Sequence, residues 1–397
     1  MHPVGLRAFA EHSLPARREG WSFPSTSGSP SLGRVTETRA PAERKHAAEI
    51  DALIKSDSGG RPPGWAMTPK AVLTYVLGSD KPVGGVPISA KYIGDRAIVE
   101  VAVATLASDR ALLLAGEPGT AKSWLSEHLT AAICGTSALI VQGTAGTSEE
   151  HVKYGWNYAL LLAEGPSERA LVPSPVLRAM REGKIARFEE ITRTGPEVQD
   201  ALISILSEKQ ISVPELGEIV SAERGFNVLA TANTRDRGVN EMSAALKRRF
   251  NFVVIPVVSD LEQEIRIVKK REEELRNDYQ VGVAAPEELA RLLVTMFQEL
   301  RAGVTKDGKT KVKAPGAVLS TAEAISVLFQ SGILSKSFGS GTVTPEDLAR
   351  ALVGAVAKEG TDDLKAVREY FETVGKGRDG AWKEFTKAAK VALKAPA

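Results

Sequence analysis

The chain has 397 residues, enough for two or three domains that each bury a core, and its 43% hydrophobic and 25% charged residues are the balance of an ordinary globular protein. Lys and Arg number 51 against 49 Asp and Glu, and a net charge of +2 argues against a dedicated nucleic-acid binder. A single cysteine, Cys134, and five scattered histidines exclude a disulfide framework and a Cys- or His-rich metal site; without a long apolar run or an apolar leader, a cytoplasmic protein with no membrane span is expected.

Residues 1–40 contain WSFPSTSGSPSLG and read as a disordered tail. Residues 41–66 read as a short helix, AERKHAAEIDALI, and a linker broken at GGRPPGW. Residues 67–257 alternate apolar runs with helical patterns. The runs 111–116, 138–142, 184–190, 226–233 and 252–257 predict five buried strands in a mainly parallel, doubly wound α/β sheet. Residues 258–397 read as helical. Ser259 with Glu262 and Ser320 with Glu323 have the spacing of capping boxes, Pro345 opens a helix after Thr344, and WKEFTKAAKVALK is an amphipathic basic helix.

The run GEPGTAKS, Gly116–Ser123, follows one predicted strand and precedes a predicted helix. That order makes a phosphate cradle, because loop N–H groups point inward and the helix adds its positive end. Gly116, Glu117, Pro118, Gly119, Thr120 and Ala121 form the loop. Lys122 reaches the β- and γ-phosphates, and Ser123 offers a hydroxyl to Mg²⁺. Glycine is usual at position 121, and alanine there is expected to hold an ordinary backbone region. Trp124, the next residue, joins the nucleotide-binding set.

Glu189 and Glu190 end a strand on the edge of the sheet where the loop lies. Glu189 is assigned to the metal and Glu190 to the attacking water. Arg187 interrupts the same run, and a core-facing arginine needs a partner. Asn233 ends the next strand and can orient the water. Arg248 and Arg249 precede the last strand and suit transition-state charge on a neighbour's γ-phosphate.

Together these residues resemble the AAA+ ATPases, and within them the MoxR-like group, from about Tyr92 to Leu348. In EITRTGPEVQDALISIL, residues Glu190, Ile191, Arg193, Pro196, Val198, Gln199, Ala201 and Leu202 match the MoxR run I-N-R-A-P-P-x-V-Q-x-A-L-L that follows the Walker B glutamate, and the pattern looks closest to a YehL-like branch. The resemblance implies a P-loop module with a helical lid, ATP and Mg²⁺ as ligands, Asn233 as sensor 1, and Arg249 as arginine finger with Arg248 the runner-up. It sets Tyr92, Ile93 and Gly94 near the adenine and hairpins at 154–172 and 208–225 facing a pore or substrate.

It also implies a homo-oligomeric ring, a hexamer in the family, acting as a chaperone-like remodeller beside proteins with a von Willebrand factor A domain. Two departures stand out. Glu189 replaces the usual aspartate, and Ala322 or Glu323 stands where the lid normally carries its sensor 2 arginine. They favour an alternative, a slow-turnover ATP-binding switch or scaffold; a nucleic-acid motor and a chelatase-type motor are the other readings.

Overall fold

A computed structural model describes residues 39–234, 240–316, 319–356 and 361–394. The tail expected over 1–40 lies, up to residue 38, outside the described residues. Helices α1 (Ala42–Lys45) and α2 (Ala47–Ser56) come first, followed by α3 (Pro69–Leu77) and α4 (Arg96–Leu106). The single helix expected in this stretch is thus two, divided at His46. Ile50 and Leu53 of α2 and Met67 are buried in the same core as α3 and α4, as is Trp65 from the stretch read as a linker.

The central module runs β1 (Ala111–Gly116), α5 (Lys122–Cys134), β2 (Ile140–Gln142), β3 (Tyr154–Trp156), α6 (Tyr158–Glu164), β4 (Leu171–Pro173), α7 (Pro175–Glu182) and β5 (Ile185–Glu189). It continues with α8 (Pro196–Glu208), β6 (Gln210–Val213), β7 (Glu218–Ser221), β8 (Asn227–Asn233), α9 (Ala244–Lys247) and β9 (Phe250–Ile255). Five strands form one sheet in the order β2-β5-β8-β1-β9, every pair parallel. The five expected strands are these; the run at 138–142 is extended only from Ile140, and the last strand begins two residues earlier than expected and stops before Pro256. Proline has no N–H to give a ladder, which ends the strand there.

Side-chain alternation explains the two layers. Leu112 and Leu114 of β1 and Leu229 of β8 pack with α3, α4 and α5. Leu113 of β1 and Val228 and Ala230 of β8 pack on the other face with α7 and α8. A sheet buried on both faces needs continuous apolar runs, and ALLLAG is one. Each leucine so buried contributes about 2 kcal/mol. Both expected hairpins are antiparallel pairs, β3 with β4 and β6 with β7. The first carries α6 between its strands, and Tyr158 and Leu162 of that helix are exposed.

The rest is helical: α10 (Leu261–Tyr279), α11 (Glu287–Ala302), α12 (Thr321–Phe338), α13 (Pro345–Val356), α14 (Thr361–Thr373) and α15 (Ala381–Ala392). They share a separate core containing Phe297, Leu328, Leu352, Tyr370, Phe371 and Phe385. The capping box at Ser320 and Glu323 is present. The one expected at Ser259 is not: Asp260 caps α10, its carboxylate accepting from the Gln263 N–H at 2.6 Å. Glu262 instead takes the guanidinium of Arg291.

Candidate functional site

The loop from Gly116 to Ser123 joins the buried end of β1 to the start of α5 and lines a cleft of about 660 Å³ between the sheet and the lid helices. Gly119 has φ 76° and Ala121 φ 66°. Ala121 therefore adopts the left-handed region, contrary to the expectation of ordinary backbone. The turn must reverse within three residues, and the Ala121 carbonyl already accepts the Leu125 N–H of α5 at 2.9 Å. Helix formation outweighs the left-handed penalty of about 1–2 kcal/mol. At Gly119 a side chain is doubly excluded, because a Cβ would also lie 2.3 Å from the Ser320 side chain of the lid.

Lys122 is buried, and its Nζ donates to the Glu117 carbonyl at 2.6 Å. Burial pushes its ammonium down to about 8, against the attraction of Glu190, Glu189 and Glu117.

Alternation along the strands builds the acidic half of the site. In β5, Ile185, Arg187 and Glu189 share the face turned to α5; in β8, Leu229, Thr231 and Asn233 do the same. Glu189 is buried, and both its oxygens are engaged. Oε2 accepts from Ser123 Oγ at 2.6 Å and Thr231 Oγ1 at 2.7 Å. Oε1 accepts from Ser126 Oγ and from Arg187 Nη2, the latter at 2.8 Å. Burial alone would raise its pKa, but the Arg187 charge and the three hydroxyls more than offset that and hold it below the usual carboxylate value.

Arg187 also donates to Ser126 Oγ at 3.2 Å and to the Ser137 and Ser123 carbonyls at 3.1 and 3.3 Å. The partner that a core-facing arginine requires is therefore Glu189 itself.

Glu190 turns out of the strand with φ 55°, its N–H donating to Thr231 Oγ1 at 3.0 Å. Its carboxylate lines the cleft and pairs with Arg193 Nε at 2.5 Å. Gly143, just past β2, lets this corner approach: a Cβ there would lie 2.3 Å from the Glu190 carbonyl.

At the other end of the cleft stand Tyr92, Ile93, Gly94 and Trp124. The Trp124 indole N–H donates to the Lys91 carbonyl at 2.8 Å, and the Arg271 guanidinium of the lid lies 3.9 Å from the centre of its ring. Lys91 in turn pairs with Glu49 of α2. Burial would raise the Glu49 carboxyl, but His46 and Lys91 hold it at about 2.

Asn233 lines the same cleft as Lys122, Ser123 and Glu190, and Glu189 meets Ser123 directly. Arg248 and Arg249 do not line it. Arg249 donates to Ser207 Oγ and the Ala245 carbonyl, both at 2.9 Å, and Arg248 is exposed. The sequence reading passes over Thr231, Ser126 and Gly143. Thr231 stands two residues before Asn233, a spacing that puts both on one strand face, and Ser126 stands one helical turn after Ser123. Gly143 carries no local signal, since its need arises from a neighbouring strand.

Two hard oxygen donors, the Ser123 hydroxyl and the Glu189 carboxylate, lie 2.6 Å apart beside the loop. This donor set fits Mg²⁺, which takes few protein ligands and keeps waters and phosphate oxygens. Among the described residues there is no group of three or more His, Cys, Asp or Glu able to hold a metal ion by itself.

The chain is similar to known proteins over most of its length. Residues 111–250 match the AAA domain of the dynein-related subfamily, and residues 262–388 match the YehL-like AAA+ ATPase C-terminal domain. The chain is 43% identical over 354 residues to YehL of Escherichia coli (strain K12), covering 88% of this chain and 96% of that protein. An uncharacterized protein of Staphylococcus haemolyticus (strain JCSC1435) is 32% identical over 193 residues, covering 48% of this chain and 72% of the relative. Among solved structures, NtrX from Brucella abortus in complex with ATP aligns at a TM-score of 0.45 and 13% identity, covering 77% of this chain and 69% of that one. With a P-loop module, a helical lid and a near full-length relative in common, the chain belongs to the YehL-like AAA+ ATPases.

Proposed function

We propose that this protein hydrolyses ATP with Mg²⁺ in a homo-oligomeric ring and uses the cycle to remodel a partner protein or complex. The observation that carries the reading is convergence. Lys122, Ser123, Glu190 and Asn233 reach one cleft from the ends of three neighbouring parallel strands, with Glu189 behind Ser123. Loop N–H groups and Lys122 bind the β- and γ-phosphates. Ser123 and Glu189 would hold Mg²⁺, which neutralises phosphate charge. Asn233 orients a water, whose oxygen attacks the γ-phosphorus. Its proton passes to Glu190, the bond to the β,γ-bridging oxygen breaks, and ADP and phosphate leave.

Arg249, or Arg248, lies outside its own cleft and would act on a neighbour's nucleotide, a contribution of about 10³–10⁵ in rate. A hexamer follows the family. Tyr158 and Leu162 on the first hairpin and Ile219 on the second are exposed apolar groups suited to a protein partner, and we propose one carrying a von Willebrand factor A domain. Among the described residues no helix is long and apolar enough to cross a membrane, and a cytoplasmic location is part of the proposal.

A second reading is a switch with little turnover of its own. It is favoured by the Glu190–Arg193 pair, which occupies the proposed base, and by donors on both oxygens of Glu189. Two substitutions test the main reading. Lys122→Ala is expected to abolish nucleotide binding or turnover, and Glu190→Gln to leave binding but remove turnover. A Glu190→Gln protein that hydrolyses at the wild-type rate contradicts the role given to Glu190.

A further inference from the structure

Glu49 on α2 carries a carboxylate that the proposed chemistry does not use, and α2 stands outside the central module that begins at β1. Its Oε1 accepts from His46 Nδ1 and Ser89 Oγ, both at 3.0 Å. Its Oε2 accepts from the Ser89 N–H at 3.0 Å and pairs with Lys91 Nζ. The Lys91 side chain is only 2% exposed. Its ammonium also donates to the Ser89 carbonyl at 2.7 Å and lies 4.4 Å from the centre of the Tyr75 ring. An ammonium so deeply buried is tolerated only when paired and hydrogen-bonded, and the carboxylate it meets is Glu49. The pair ties α2 to the segment 89–91.

That segment runs directly into Tyr92, Ile93 and Gly94, which line the cleft. Its backbone is held from several sides. The Lys91 and Tyr92 N–H groups both donate to the Val76 carbonyl of α3, at 2.8 and 3.0 Å. The Lys91 carbonyl takes the Trp124 indole N–H, and the Ala90 carbonyl takes Lys270 Nζ of α10. Gly78, with φ 82°, lets the segment lie against the end of α3, because a Cβ there would stand 2.7 Å from the Ala90 nitrogen. The Tyr92 ring folds back over Gly94, where a Cβ would stand 2.6 Å from it. Trp124 follows the loop residue Ser123 in the chain, so a nucleotide whose phosphates lie on the loop brings its base toward these aromatic groups.

We propose that Glu49 is a positioning residue for the base of a bound nucleoside triphosphate: it holds Ser89 and Lys91, and through them the wall formed by Tyr92, Ile93 and Gly94 and the carbonyl to which Trp124 is bonded. The inference rests on the reading that the cleft binds nucleotide. Glu49 does not line the cleft and acts only through these neighbours. Removing its charge strands the Lys91 ammonium, which must then leave its buried place or lose its proton, and the backbone of 89–91 moves with it. The phosphate loop is held by other contacts, those of Thr120 and Lys122 with the Glu117 carbonyl, so its grip on phosphate stays.

The test compares a ligand that has a base with one that has none. Dissociation constants of ATPγS and of inorganic triphosphate are measured by titration with Mg²⁺ on the full chain. Wild type is expected to bind ATPγS about tenfold or more the tighter. Glu49→Gln, equal in shape but uncharged, is expected to weaken ATPγS by about tenfold and inorganic triphosphate by less than about twofold. Glu49→Asp, which keeps the charge, is expected to regain part of the loss. Should Glu49→Gln fail to fold, Glu49→Gln/Lys91→Met, which removes both charges together, is read in the same way. A cooperatively melting variant without the Glu49 charge that binds ATPγS as wild type does overturns the inference alone, and so does an equal loss for both ligands, which makes Glu49 a support of the whole fold. Wild type that binds neither ligand overturns it together with the reading of the cleft.

Discussion

At the scale of single residues, Lys122 carries its charge against burial. Its ammonium is pushed down to about 8, whereas phosphates favour the charged form. Below that pH the side chain is already charged when nucleotide arrives. Above it, binding must take up a proton, so affinity falls as pH rises, by at most about tenfold per unit. ATPγS dissociation constants across about pH 6.5–9.5 should be flat on the acid side and weaken beyond about pH 8. An affinity that rises with pH contradicts this assignment. Gly143 makes a second residue-scale prediction. With a Cβ 2.3 Å from the Glu190 carbonyl, Gly143→Ala must displace the corner that carries the proposed base. Overpacking of this kind costs about 1–3 kcal/mol, and turnover should fall more than nucleotide affinity does. Equal kcat in Gly143→Ala and wild type would show that the corner is not held that tightly.

At the scale of elements, the strands were legible because burial on both faces leaves an unbroken apolar run, and β1 was read to the residue. Caps were less legible. Ser259 and Asp260 are adjacent residues of capping type, and it is Asp260 whose carboxylate takes the Gln263 N–H. Asp260→Ala should therefore cost about 1 kcal/mol of stability and Ser259→Ala only a few tenths, measured by chemical denaturation. The reverse order would restore the capping box at Ser259. Ala121 was misread for a related reason. Local preference opposes left-handed backbone in alanine, and the loop's closure onto α5 overrides it. Spacing was also silent about the lid. Ala322 and Glu323 stand where the family carries an arginine, and Glu323 serves the cap of α12.

At the scale of the whole molecule, a single chain assembles the phosphate loop, the acidic strand end and Asn233 but keeps Arg248 and Arg249 away from its own cleft. The order of motifs along the sequence foretold the first group, since parallel strands bring their carboxyl ends to one edge. The arginines were legible only as charges beside a strand, because what they are proposed to reach lies outside one chain. Mixing gives the direct consequence. Inactive Arg249→Ala and inactive Glu190→Gln proteins should together regain part of the turnover, because some interfaces then pair an intact arginine with an intact glutamate. No recovery in verified mixed assemblies would leave Arg249 without a role across an interface. The measurement that bears most directly on the central claim is Mg²⁺-dependent ATP turnover as a function of protein concentration, with Glu190→Gln alongside. Specific activity that rises with concentration to a plateau, and a Glu190→Gln protein that binds ATP without turning it over, is the predicted result. Tight ATP binding with no turnover at any concentration would contradict it.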